Sequence, residues 1–76
     1  MRERVKIIVN PVSGKGKALR RAEDVAKALR SLGCEVDLQE TRQGGDARRL
    51  AGESRGYSAV AATGGDGTVN EVLNGL

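Results

Sequence analysis

The chain contains no histidine, tryptophan or phenylalanine, and only one tyrosine, one cysteine and one proline among its 76 residues. With Cys34 alone there is no disulfide framework, so a secreted mini-protein is excluded and a reducing cytoplasm is the expected location. A lone cysteine and no histidine also remove the metal staple that small domains often use. Cys34 itself reads as a small core residue rather than a reactive thiol. Tyr57 is the sole aromatic, and a chain of this length buries only ~60% of its unfolded surface, so the core must be small. Apolar runs such as Ile7-Ile8-Val9 fall far short of the ~20 residues of a spanning helix, and the N-terminus has no signal-peptide core. Thirteen basic residues (13) stand against 10 acidic ones, a net charge of +3. That mild excess suits an anionic ligand or an anionic lipid surface, and it lacks the dense basic stripes with aromatics of a nucleic-acid binder.

What is present is a repeated change of hydrophobic period. Val5 to Val9 is compact and β-branched and predicts a buried strand, stopped by Asn10-Pro11. From about Ala18, the residues Leu19, Ala22, Val25, Ala26, Leu29 and Leu32 recur at helical spacing, and Gly33 stands where a left-handed residue ends a helix. Cys34 to Glu40 alternates as a half-exposed strand with Val36 and Leu38 on its apolar face. Asp46 is expected to cap a short helix carrying Ala47, Leu50 and Ala51. Ser58 to Ala62 predicts a third strand covered on both faces, and Val69, Val72, Leu73 and Leu76 mark a third helix. The order β-α-β-α-β-α implies right-handed crossovers and a three-layer α/β/α, Rossmann-like parallel sheet. Strand order 2-1-3 is expected, with 3-2-1 as the alternative.

In such sheets ligands bind beyond the carboxyl ends of the strands, where the strand order reverses. Two loops there carry suitable chemistry. Gly64-Gly65-Asp66-Gly67-Thr68 opens a helix with amides free to approach an anion, and phosphate is the natural occupant. Thr68 and Glu71 have capping-box spacing, so capping is an equally good account of both. Asp66 beside a phosphate is repulsive unless it orients the loop or faces a divalent cation. The other loop, Asn10 to Gly16, lacks the P-loop spacing and the third glycine of a dinucleotide fingerprint. Ser13 and Gly14 still offer a hydroxyl and an amide, and Lys15 or Lys17 a mobile charge.

Taken together, "IIVNPVSGKGKA", "ETRQGGDARRLA" and "AATGGDGTVNEVLNGL" resemble the catalytic domain of the diacylglycerol kinase family, in the same order and over essentially the whole chain. "GGDGT" alone is shared with NAD kinases; "NPVSG" and "NEVLNGL" favour the lipid kinases. The resemblance implies ATP-dependent phosphorylation of a lipid hydroxyl, with magnesium. It places Asn10, Pro11, Val12, Ser13, Gly14 and Thr41 at the nucleotide, and Gly64, Gly65, Asp66, Gly67, Thr68, Val69 and Asn70 in the phosphate-cradling turn. Asp66 is the expected catalytic residue, through the loop or the metal; no metal ligand set is assigned. Residues 1–76 then form the N-terminal part of a nucleotide-binding domain. The rest of that domain and a β-rich lipid-binding domain lie outside this sequence, and the segment alone is expected to be inactive. The lipid would reach the parent through that second domain, with peripheral contact to an anionic membrane. Open sheet flanks would allow the segment to self-associate. The other readings are an NAD kinase segment and a small non-enzymatic α/β module that binds an anion or a partner.

Overall fold

The computed structural model describes residues 2–64. Within them β1 (Arg4–Val9), α1 (Lys17–Ser31), β2 (Glu35–Glu40), α2 (Asp46–Gly52) and β3 (Ala59–Thr63) follow one another. All three strands are parallel in the order β2-β1-β3, which is the expected 2-1-3 and excludes 3-2-1. The third helix expected beyond Gly64 lies outside the described residues.

Being central, β1 is hydrogen-bonded on both edges and covered on both faces. Ile7 and Val9 meet Ala18, Ala22 and Ala26 of α1 together with Val36 of β2, while Ile8 meets Ala47 and Ala51 of α2. The buried helix residues are all alanine, with Leu19, Leu29 and Leu50 packed at the margins. Reversal of the chain at β1 sends the two crossover helices to opposite faces, giving three layers.

Helix α1 ends as Gly33 foretold. Gly33 takes a φ of 91°, its amide donates to the Arg30 carbonyl at 3.0 Å, and the Cys34 amide donates to Leu29 at 3.0 Å. This is a Schellman closure, which only a residue free to adopt the left-handed conformation makes cheaply.

Two core expectations need correction. In the expected apolar stripe of α1, Ala22 and Ala26 are buried and Leu19 and Leu29 pack beside them, with Ala18 added, but Val25 and Leu32 are 47% and 81% exposed. Helix α1 lies chiefly over β1 and β2, so the side of the helix turned away from β2 has little to cover it. For the same reason β3 is not covered on both faces: Val60 and Ala62 pack toward α2, whereas Ala59 and Ala61 are exposed.

Lys6 is the least expected core residue, only 1% exposed. Its Nζ donates to the Leu50 carbonyl at 2.8 Å and also to the Glu53 carbonyl. Those carbonyls lie in the last turn of α2 and at the residue that caps it, at the negative end of the helix dipole. The ammonium also sits 4.8 Å from the Tyr57 ring centroid, with the Arg4 guanidinium at 4.6 Å from the same ring. The Tyr57 hydroxyl donates to Asp37, and that bond raises its pKa above the ordinary value. Arg4 in turn pairs with Glu35 at 3.6 Å and Asp37 at 3.7 Å. One aromatic ring thereby organises the amino-terminal end of the sheet.

Lys6→Met keeps the buried stem but removes the ammonium from both carbonyls, and the Glu53 carbonyl loses its donor while Leu50 keeps the Glu53 amide. It is expected to lower stability by roughly 1–3 kcal/mol, read as a drop in the urea midpoint by circular dichroism. An unchanged midpoint would refute the clamp.

Candidate functional site

The parallel register brings all three strand ends to one edge, where backbone bonds tie them together. The Asn10 amide donates to the Thr63 carbonyl at 3.2 Å, and the Thr41 amide donates to Val9 at 2.8 Å. The Thr63 hydroxyl donates to the Ala18 carbonyl at 3.2 Å, fixing the end of β3 against the start of α1.

Beyond β1 the chain turns sharply. Asn10 Oδ1 accepts the Val12 amide at 3.2 Å and the Asn10 carbonyl accepts the Ser13 amide at 3.1 Å, an Asx-type turn around Pro11. Gly14, Lys15 and Gly16 then follow with φ of 60°, 58° and 89°. For Lys15 the left-handed conformation costs about 1–2 kcal/mol, so its neighbours must hold it there. The Lys17 amide returns to the carbonyls of Ser13 and Gly14, and α1 starts at once without a side-chain cap.

Two crevices result, one on either side of the β1 exit. The first, about 450 Å³, lies between Asn10-Pro11-Val12 and Thr41, Arg42 and Gly44. Pro11 and the 77%-exposed Val12 give it an apolar wall. The second, about 220 Å³, is bounded by Ser13, Gly14, Lys17 and Arg21 on one side and by Thr63 and Gly64 on the other. Its two charged residues, Lys17 and Arg21, are both basic.

The floor of the first crevice depends on Asp46. This residue was expected to cap α2, but Gly45 occupies the cap position and Asp46 begins the helix. The Asp46 carboxylate instead points back, accepting the amides of Arg42 at 2.8 Å and Gln43 at 3.1 Å. The Arg42 amide bond, aided by Gln43 and the charges of Arg49 and Arg42, holds its pKa below the ordinary aspartate value.

Of the residues assigned from sequence, Asn10, Pro11, Val12 and Thr41 line the first crevice, and Ser13, Gly14 and Gly64 the second. Gly65, Asp66, Gly67, Thr68, Val69 and Asn70 lie outside the described residues. Thr63, Arg21, Arg42 and Gln43 were not foreseen at this edge. The spacing held a signal for Arg21, since it follows Lys17 by one helical repeat of four and so shares its face. Among the described residues, no three His, Cys, Asp or Glu side chains converge. Nor is any helix among them long and apolar enough to cross a membrane.

Strand order and crevices define a doubly wound α/β domain of the kind that takes ligands at its strand ends. The family described as the diacylglycerol kinase catalytic domain matches residues 4–76, and the chain belongs to it. The chain is 44% identical over 78 residues to a diacylglycerol kinase of Staphylococcus saprophyticus, spanning 100% of this chain and 26% of the relative. It is 42% identical to the diacylglycerol kinase of Staphylococcus haemolyticus, of which it spans 24%. A solved structure from Bacillus anthracis strain Sterne, named as a candidate diacylglycerol kinase, superposes with a TM-score of 0.79 at 33% identity, covering 97% of this chain and 27% of that one. The chain thus spans about a quarter of the length of the relatives it matches.

The geometry at Asp46 carries a pH signature. A lowered folded-state pKa means that its stabilising contribution is complete above the ordinary value of ~3.9 and disappears as pH falls through the lower folded value. On acidification the amides of Arg42 and Gln43 should lose exchange protection in that window. Asp46→Ala, which removes the acceptor, should leave both amides poorly protected at neutral pH and flat across the titration. Retained protection in the variant would refute the role.

Proposed function

We propose that this chain supplies the ATP-holding strand ends of a kinase that phosphorylates a lipid hydroxyl such as that of diacylglycerol. The observation that carries the reading is the pair of unlike crevices flanking Asn10 to Gly14, one with an apolar wall and one basic. The nucleotide base lies against Pro11 and Val12, with Thr41 and Asn10 as polar contacts. The phosphates run past the Ser13 hydroxyl and the Gly14 amide toward Gly64, with Lys15 and Lys17 as charge partners. Gly65 to Asn70 complete the phosphate cradle. Family membership supports a lipid rather than a dinucleotide acceptor.

Phosphoryl transfer asks little covalent chemistry of a protein and much positioning and charge stabilisation. Magnesium, when bound, neutralises charge developing on the transferred group. On this chain Asp66 is the residue assigned to orient the cradle or to face the cation. Backbone amides in glycine-rich turns act without reorganisation when charge develops, which is why such loops suit the task. The lipid groove comes from outside residues 1–76, and the parent works in the cytoplasm, touching an anionic membrane peripherally. Residues 1–76 alone hold nucleotide without turning it over.

Titration with ATP followed by amide NMR tests the site. Shifts are expected to cluster at Val12 to Gly14, Thr41 and Gly64 to Thr68; scattered shifts, or none at millimolar ATP, would refute it. In the kinase carrying this segment, Asp66→Ala is expected to cut turnover at least ~10²-fold while the protein stays folded. Near-normal turnover would overturn the role of Asp66.

A further inference from the structure

The basic crevice contains a residue that the nucleotide reading does not use. Arg21 lies one helical turn beyond Lys17 on the same face of α1 and lines the crevice opposite Thr63 and Gly64. It is exposed, and no ion pair engages it or Lys17 among the described residues. The carboxylates nearest in sequence, Glu23 and Asp24, border a separate hollow with Lys27 and Arg30.

The local arrangement is unfavourable for the helix itself. The first turn of α1 holds no acidic residue, and its cap makes no side-chain hydrogen bond. Lys17, Arg20 and Arg21 therefore sit at the positive end of the helix dipole, where cations are disfavoured. Lys17 and Arg21 also form a like-charge pair at a spacing of four, which destabilises a helix further. An anion in the crevice would relieve both penalties. Of the three cations, Lys17 and Arg21 line this crevice and Arg20 does not.

We infer that Arg21 is a specificity-determining residue, gripping the outer phosphates of a nucleotide and making the site prefer a triphosphate to a monophosphate. This rests on the nucleotide reading above. In that reading, the inner phosphate is held by the Ser13 hydroxyl and the Gly14 amide, which every adenine nucleotide can use. The outer phosphates extend toward Gly64, and a guanidinium opposite that edge recognises them by charge and by its donor fork.

The test compares ATP, ADP and AMP by NMR titration of the 76-residue chain, as wild type, Arg21→Gln and Arg20→Gln. Both variants lose one positive charge from the same helix turn and keep a good helix former, so general electrostatics and folding are matched. Arg21→Gln is expected to weaken ATP about two- to fivefold while leaving AMP unchanged, and Arg20→Gln to change neither. Equal weakening of ATP in both variants would reduce the effect to overall charge and overturn the inference. So would an Arg21→Gln variant that still prefers ATP as the wild type does. Wild-type chain that binds none of the three nucleotides would instead defeat the nucleotide reading, and the role of Arg21 with it.

Discussion

Everything else in the fold follows from the central position of β1. A strand bonded on both edges and covered on both faces buries whatever it carries, and β1 carries an ammonium group at Lys6. A buried cation is costly unless it is met by acceptors. The end of α2 meets it, so that helix must stop where the Leu50 and Glu53 carbonyls reach Nζ. Tyr57 then closes the remaining side with its ring face. The end of α2 and the packing of Tyr57 on the way into β3 thus both answer to one side chain. On the opposite face, where Ile7 and Val9 point, no polar demand exists and alanines of α1 suffice.

Much of this was legible in the amino-acid sequence, for physical reasons that also mark where legibility stopped. Alternation and helical period identify elements because they reflect which face must be dry, and the short crossovers then restrict the sheet to few strand orders. Gly33 announced its turn because a left-handed residue is a local necessity. Lys6 could not be placed, because a lysine in a strand has a long apolar stem and a tip whose partner lies 44 residues away in sequence. Val25 and Leu32 misled for another reason. Periodicity finds the apolar side of a helix but not how much sheet lies beneath it, and among the described residues the sheet leaves Val25 and Leu32 of α1 exposed. Asp46 shows a third kind of miss. A carboxylate at a helix start can serve the helix or the preceding loop, and the sequence pattern is the same for both.

The two ends of the sheet resolve their charge in opposite ways, and that contrast bears on function. At the amino-terminal end Arg4, Glu35, Asp37 and Tyr57 satisfy one another through ion pairs, a hydrogen bond and a stacked guanidinium. At the carboxyl end the chain accepts a left-handed lysine and a helix start crowded with cations and lacking an acid. Neither feature improves the fold. Lys15 has a conformation that glycine would adopt without strain, and Lys17 and Arg21 oppose both each other and the dipole. Residues that break local rules without helping the core are best explained by what they do for a ligand. Here the violations fall on the same edge as both crevices and on the same loop as the family resemblance. Charge that the chain does not neutralise for itself is charge available to an anion, and Lys17 and Arg21 present it together on one side of β1.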